Sequence, residues 1–386
     1  MVMVKKKPLK AKTAKKKVAV VMLNLGGPDA KNAIKPFLRK FFMDKNIIGL
    51  PVPFRCILAC LIANKRSKRE AGESYGELGD KSPLLENSMA QVKALNTELK
   101  GSKDTVYKTF VCMRYWHPMS PQVVREVRDW GADEILMLPL YPQFSTATTW
   151  SSLQVWHKAM YEAGMENTPV STICCYPYND GFIQASAENI ISEYKRAKKD
   201  GFKDPRILFS AHGLPEKTIK QGDPYQYQCE QTAKKIAAVI QKKLKMKSLD
   251  WQICYQSRVG PLKWIGPSVD EALQVAADDK KAVVIYPHAF TQEHVETLVE
   301  LDIEYREEAE EMGQHGYYRA RTVGVHPKFI KGLAGLVKKH VGKRKVQAEG
   351  FRNICPTGSV NCCMRKAKEL PVKDKPAKKA KKKKVA

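Results

Sequence analysis

The run Val18-Ala19-Val20-Val21-Met22-Leu23-Asn24-Leu25, closed by Gly26-Gly27-Pro28, limits the fold of this chain more than any other feature. It is apolar without alternation. A strand with one wet face alternates apolar and polar residues, so this one is expected to be covered on both faces, as strands of parallel sheets are. The glycine pair and the proline then give a tight turn at its end. The segment resembles the opening of a nucleotide-binding unit but lacks GxGxxG, which leaves a phosphate site with little support.

The strand–loop–helix cycle repeats along the chain. Strands are expected at 107–113 and 134–140, with helices at 30–42, 88–99, 121–130 and 151–163. A second series of strands is expected at 170–174, 206–210, 252–256 and 282–286. Its helices are expected at 181–198, 227–245, 268–277 and 292–312. This alternation implies an α/β protein with parallel sheets between helix layers, wound right-handed. The 386 residues suffice for two cores, and we expect two similar α/β domains with a cleft between their strand ends. The expected divisions are a disordered basic tail at 1–17, an N-terminal domain at 18–168, a C-terminal domain at 169–345, and a cysteine-containing extension with a lysine-rich tail at 346–386.

The formal charge of +27 is concentrated at the ends. Residues 1–17 hold eight lysines and no acid, and the two ends together supply 17 of the 27 charges. Such runs are solvated tails that adhere to acidic surfaces. No specific nucleic-acid recognition is expected, because no zinc-finger or RNP pattern is present and no aromatic residue lies in either lysine run. No secretory signal is apparent, so a cytoplasmic location is expected. The most lipid-like stretch, 47–63, is interrupted by Pro51, Pro53 and Arg55. Its uninterrupted part is far shorter than the roughly 20 residues a span needs. Ten cysteines in such a chain argue for metal binding or burial rather than a disulfide framework.

Two strand ends carry chemistry. Phe209-Ser210-Ala211-His212-Gly213-Leu214-Pro215 places a histidine just past a strand, where open α/β sheets build their sites. Pro287-His288-Ala289-Phe290 follows a second strand and leads into a helix. On that helix, beside His294, Glu293, Glu296, Glu300 and Glu304 fall at spacings of 3, 4 and 4 and are expected along one face. A solvated acidic face is the plain alternative, but like charges at i,i+4 cost about 0.2–0.5 kcal/mol per pair. Attraction of a divalent cation explains the stripe better, and oxygen ligands with an imidazole suit a loosely held Fe²⁺. In Tyr255–Trp264 a basic residue and a large flat ring follow another strand. Such an aromatic wall suits a flat apolar ligand.

Several segments together resemble the ferrochelatase family. They are Leu23–Pro28, Arg114-Tyr115-Trp116-His117-Pro118, Tyr141-Pro142-Gln143-Phe144-Ser145, Ser210–Pro215, Gly222-Asp223-Pro224-Tyr225, Tyr255–Pro267 and His294–Asp302. They run in family order from about residue 18 to 340, with an alphaproteobacterial look. The resemblance implies two Rossmann-like domains and ATP-independent insertion of Fe²⁺ into protoporphyrin IX, forming protohaem. It implies that His212 is the active-site histidine and proton acceptor, with Glu296 opposite. His294, Glu300 and Glu304 would form an acidic proton or ion path, and these five are the candidate metal-contacting residues. Leu25, Trp264 and Phe290 match the porphyrin pocket, with Arg114, Tyr141 and Ser257 close by. The resemblance leaves room for an iron donor protein and leaves the oligomeric state open.

Two departures stand out. Gly79-Asp80-Lys81-Ser82-Pro83 replaces the family's GGGSP, and Trp150 replaces a glycine. Some members hold a [2Fe–2S] cluster with C-terminal cysteines. Here Cys355, Cys362 and Cys363 resemble bacterial cluster-bearing forms, with Cys174 or Cys175 as candidate fourth ligand, since the animal N-terminal ligand position is Thr146. The apolar stretch suggests a lip of Leu50, Pro53, Phe54, Ile57 and Leu58 dipping into an anionic membrane surface, giving peripheral association. Lys65, Arg66, Lys68 and Arg69 would meet the phosphates. Rival readings are a coproporphyrin ferrochelatase, a cobalt chelatase with a second histidine in place of Glu296, and a non-enzymatic haem or iron–sulfur carrier.

Overall fold

The computed structural model describes residues 15–72, 74–100, 104–258 and 261–370, with the side chains of 69–72 left out. Most of both lysine tails and the Arg69 side chain therefore lie outside the described residues. Lys16 and Lys17, placed in the tail by charge alone, instead open the first strand, where Lys16 Nζ pairs with Glu134 at 2.6 Å.

Among the described residues the strands are β1 (Lys16–Asn24), β2 (Thr105–Met113), β3 (Glu134–Pro139), β4 (Val170–Ile173), β5 (Arg206–His212), β6 (Trp251–Gln256), β7 (Val283–Pro287), β8 (Tyr317–Arg319) and β9 (Val346–Gln347). They form two all-parallel sheets, ordered β2-β1-β3-β4-β9 and β6-β5-β7-β8. The last seven residues of β1 are buried, as its unbroken apolar character requires. Strand order reverses between β1 and β3, and again between β5 and β7. A crevice opens beyond the strand ends at such reversals.

The helices are α1 (Ile34–Phe42), α2 (Val52–Gly72), α3 (Leu84–Glu98), α4 (Ser120–Trp130), α5 (Ser151–Glu162), α6 (Asp180–Lys199), α7 (Glu216–Lys220), α8 (Tyr225–Leu244), α9 (Val269–Asp278), α10 (Tyr305–Glu311), α11 (Pro327–His340) and α12 (Cys363–Lys366). They cover the sheets. One continuous core joins Val20 and Leu136 of the first sheet to Phe209 and Tyr286 of the second through Ile190 of α6 and Leu333 of α11.

Three local expectations are corrected. The strand at 170 pairs with β3, in register Ile135↔Val170, rather than heading the second series. It is the return of an ordinary strand–helix–strand unit through α5, which lands beside its predecessor. Residues 52–72 form one continuous helix. Pro51 precedes it and Pro53 sits in its first turn, where no backbone N–H is needed. No described helix is long and apolar enough to cross a membrane. Finally, Glu296–Glu304 is wound as a π-helix that continues into α10, and Thr146–Trp150 is a second π segment ahead of α5. Bonds from i to i+5 widen the turn, so carboxylates four apart drift out of line.

Candidate functional site

Four strand-end segments converge. Buried amides bind them: Asn24 Nδ2 donates to Gln292 Oε1 at 3.3 Å, and Thr291 Oγ1 donates to the Leu140 carbonyl at 2.9 Å. Gln91 on α3 donates to the carbonyls of Thr291 and Gly324 at 2.9 and 2.8 Å. The second sheet's loops are thereby fixed against the first sheet's.

His212 is the last residue of β5. Its Nδ1 lies 2.7 Å from the Gly213 carbonyl, which can only accept, so Nδ1 carries the proton. In the neutral ring Nε2 is then a bare acceptor. It faces Glu296 Oε1 at 4.0 Å, while Glu296 Oε2 faces His294 Nε2 at 3.9 Å. The His212 and Glu296 side chains are 36% and 28% exposed, so both are open to solvent, while His294 is 12% exposed. Burial lowers the affinity of His294 for a proton, against the opposing pull of Glu296 and Glu293.

Glu300 lies deeper. It accepts from Gln256 Nε2 at 2.9 Å and from Ser257 Oγ at 2.7 Å. Ser257 sits at φ 63°, a left-handed conformation costing roughly 1–3 kcal/mol, which its bonds to Glu300 help hold. Gln256 is placed by pairing opposite His212 in the β5–β6 ladder, and its Oε1 accepts from Ser210. Burial first, and the charge of Glu296 second, push the Glu300 carboxyl up to about 7 from an ordinary 4.5. The folded chain therefore binds this proton more tightly than the unfolded chain. That contribution is complete below 4.5 and is lost as pH rises through 7. Glu300→Gln is accordingly expected to be more stable than the parent at pH 8 by on the order of 1–3 kcal/mol, read as a higher unfolding temperature. The gap should close toward pH 4.5; a gap independent of pH would show that the carboxyl does not titrate there.

The expected acidic face is divided. Glu296 and Glu300 face the site, Glu304 is exposed, and Glu293 is committed elsewhere, to Arg319 at 3.0 Å and the Thr322 N–H at 2.8 Å. Among the described residues no group of three or more His, Cys, Asp or Glu is arranged to hold a metal ion.

Aromatic and apolar residues flank the cluster. The Phe290 ring meets His294 edge-on with centroids 4.6 Å apart. Trp264 covers Gly213; a Cβ there would stand 3.2 Å from the indole and 3.0 Å from the Gln256 carbonyl, so glycine lets the ring sit beside His212. Leu25 and Val295 pack against the small core of α1 and α2. Arg114 is fixed by Asp44 at 2.8 Å and by Ser151 at 2.6 Å. Burial opposes ionisation of Asp44, but Arg114 and the Ser151, Asn46 and Tyr115 donors outweigh it and hold the carboxyl below its usual range. Tyr141, just past β3, has its phenol pushed well up by burial. Asp44 and Gln256 were given no role from the sequence; Asp44 stands beside Lys45 and Asn46 and Gln256 beside Ser257 and Arg258, with no spacing to single either out. The departure at 79–83 keeps a turn, because Asp80 takes φ 64° and Ser82 packs on Gly27. Asp is among the side chains that tolerate the left-handed region.

Five thiols gather behind the loop that follows β3. Cys174 and Cys175 sit past β4, with their sulfurs 3.8 Å apart. Cys363 meets Cys174, and Cys355 meets Cys362. The Cys355 contact pulls the Cys362 thiol down to about 6, while Cys355 itself is pushed up.

The sequence model of the ferrochelatase family matches residues 17–341. A ferrochelatase of Hyphomonas neptunium is 43% identical over 353 residues, covering 90% of this chain and 94% of that one. One from Caulobacter vibrioides is 47% identical over 328 residues, covering 85% and 91%. One from Pelagibacter ubique is 43% identical over 348 residues, covering 90% and 98%.

Proposed function

The chain belongs to the ferrochelatase family, and on that premise we propose that it inserts Fe²⁺ into protoporphyrin IX to form protohaem. The observation that carries the proposal is the bare Nε2 of His212, turned toward Glu296 at the mouth of the cleft. Metallation expels two pyrrole protons, and the bare Nε2 of His212 can accept one at a time and pass it on before taking the second. Glu296 would relay each proton toward Glu300, whose carboxyl burial pushes up to about 7. The ferrous substrate would use the same donors, His212, His294 and Glu296, on its way in, with Glu300 and Glu304 beyond. Leu25, Trp264 and Phe290 would clasp the apolar macrocycle, Tyr141 and Ser257 lie at the ends of their strands beside it, and Arg114 would face a propionate.

Anaerobic insertion of Fe²⁺ or Zn²⁺ by the purified protein tests the reading, with protoporphyrin and coproporphyrin compared side by side. Preference for coproporphyrin, or absence of turnover, would reject it. Glu296→Gln is expected to lower turnover at least 10-fold with a smaller loss of porphyrin binding; a change in binding alone would remove Glu296 from the relay. A cobalt chelatase is disfavoured by the carboxylate at Glu296, and a simple carrier by the pairing of that carboxylate with two histidines.

A lip at the cleft would reach the membrane. Leu50, Val52, Phe54, Ile57 and Leu61 are 43–65% exposed, and Phe54, Ile57 and Leu61 recur at helical spacing on α2. Pro53 is exposed as well, whereas Leu58 is half-buried and Ala59 and Ala63 pack inward. Lys65 and Lys68 are exposed nearby, and each cation is worth about 1 kcal/mol at an anionic surface. The double variant Phe54→Glu, Ile57→Glu is expected to stop flotation with phosphatidylserine vesicles at about 1 M salt, where charge attraction by the tails is screened. Unchanged flotation would leave α2 an ordinary packed helix.

For an iron–sulfur centre the thiol pocket offers donors of the right chemistry and not a formed site: Cys355, Cys362, Cys363 and one of Cys174 or Cys175 would supply the four thiolates a [2Fe–2S] cluster takes, but no three of them are arranged to hold a metal ion among the described residues. When bound, such a cluster would cross-link the C-terminal segment to the end of β4. The protein's own part is to hold five sulfurs in a nearly dry pocket, with Cys174, Cys175, Cys362 and Cys363 buried.

A further inference from the structure

Asp302 follows Glu300 by two residues, about half a turn round the π segment, and lines a cavity of about 410 Å³ that His212, Glu296 and Glu300 do not line. The walls come from α6, the π segment, α10 and the end of β8. They carry four guanidinium groups, of Arg196, Arg306, Arg319 and Arg321, against the carboxylates of Glu193 and Asp302. Four cations less two anions leave the wall at +2. Both carboxylates are already engaged. Asp302 accepts from Arg306 Nη2 at 2.7 Å, and Glu193 pairs with Arg196 Nη1 at 2.9 Å. Arg319 gives Nη1 to Glu293 at 3.0 Å, behind the wall, and counting that carboxylate still leaves one positive charge over. The surplus sits at Arg321, whose exposed side chain makes no hydrogen bond or ion pair among the described residues. Its backbone is nonetheless fixed, since its carbonyl accepts from Asn189 Nδ2 at 2.9 Å. At the base, Arg319 is 7% exposed. Its Nε lies 2.9 Å from Asp302 Oδ2 but off the hydrogen-bond direction, so a buried N–H stands without an acceptor. Such a donor is costly unless something else satisfies it.

We propose that this cavity binds a small polyanion through its phosphoryl or carboxylate oxygens, gripped by Arg321 and Arg196 at the rim and by Arg319 at the base. The guanidinium fork matches either group with two parallel N–H bonds. A concave wall of one net sign concentrates counter-ions of the other, and the same sign keeps metal cations out. Arg196 is held ready, because its guanidinium lies over the Tyr318 ring at 4.9 Å and spends only one nitrogen on Glu193. An ion-pair network built for stability alone would close on itself; this one leaves a whole guanidinium unmatched beside a cavity. Arg319 also joins the cavity to the catalytic segment, since its carboxylate partners are Glu293, next to His294, and Asp302, just past Glu300.

The test is isothermal titration of the full chain, stripped of metal, with pyrophosphate and separately with citrate at about 0.15 M salt. The lysine tails attract anions too, so the parent is compared with Arg321→Ala and with the double variant Arg196→Ala, Arg321→Ala, whose tails are the same. Both side chains are exposed, so the variants are expected to fold, which thermal unfolding checks. The parent is expected to bind one equivalent saturably. Arg321→Ala should weaken that binding about 10-fold and the double variant about 100-fold, as loss of hydrogen bonds to a charged group does. Arg321→Lys keeps the charge and loses the fork, so it should also weaken binding, and it decides the matter if the double variant does not fold. Binding of pyrophosphate alone would identify a phosphoryl ligand, and of citrate alone a carboxylate one. Equal binding by the parent and the folded variants would put the anion on the tails and overturn the inference. So would the absence of saturable binding of either anion by the parent.

Discussion

His212→Ala is expected to lower iron insertion by about 100- to 10,000-fold, the range over which a positioned proton acceptor contributes, without unfolding the chain. The ring makes one hydrogen bond, to the neighbouring Gly213 carbonyl, and its side chain is 36% exposed, so its removal leaves no buried group stranded. β5 remains paired along both edges. Porphyrin binding should persist, since the proposed clasp of Leu25, Trp264 and Phe290 is untouched. The measurements are single-turnover metallation, porphyrin fluorescence titration and thermal unfolding. A folded variant that turns over at the parental rate would remove His212 from proton transfer and shift attention to His294.

The second large effect is expected at the thiols. Cys355→Ser and Cys362→Ser should each abolish the visible absorption of anaerobically purified protein and lower its melting temperature by several degrees. The mechanical reason lies in the segment after β9. Ala348, Cys363 and Leu370 are buried in the same core as Trp150, Trp156 and Val123. That segment packs against the layer of α4 and α5 with little regular structure of its own, and a bound cluster would pin it near its middle. Cys174→Ser and Cys175→Ser, made singly, identify the fourth ligand, because only the ligand's loss should remove the colour. Protein that is colourless from the start, from cells able to assemble clusters, would return all five thiols to packing.

What could be read from the chain followed from how local the physics was. β1, β3, β5 and β7 were visible because a strand covered on both faces must be apolar throughout. β8 and β9, of three and two residues, were not, since their pairing depends on the neighbour rather than on their own composition. The placement of β4 needed tertiary contact for the same reason. The π segment at Glu296–Glu304 was invisible because an i→i+5 turn and an i→i+4 turn have nearly the same apolar pattern. Its acids were legible as a group but not in their division, since Arg319, which takes Glu293 away, lies 26 residues on. His212 was marked by its place at a strand end. Gln256 and Asp44 were not, because a buried polar residue declares itself only through its partners.

The pairing of β9 with β4 bears on how the protein is made. The outer edge of the first sheet is covered by Val346–Gln347, which leave the ribosome after the whole of the second sheet. The second sheet, running from residue 206 to 319, has all its strands in hand earlier. Synthesis thus begins the first sheet and finishes it last, with β4 presenting unpaired backbone groups for the time it takes to add some 170 further residues. At about 5–20 residues per second, that is an exposure of roughly 10–35 seconds during which an open edge can recruit a wrong partner. A chain cut short before residue 346 would keep that edge bare for good. The closing segment is therefore part of the protein's protection against misassembly, whatever else its cysteines do.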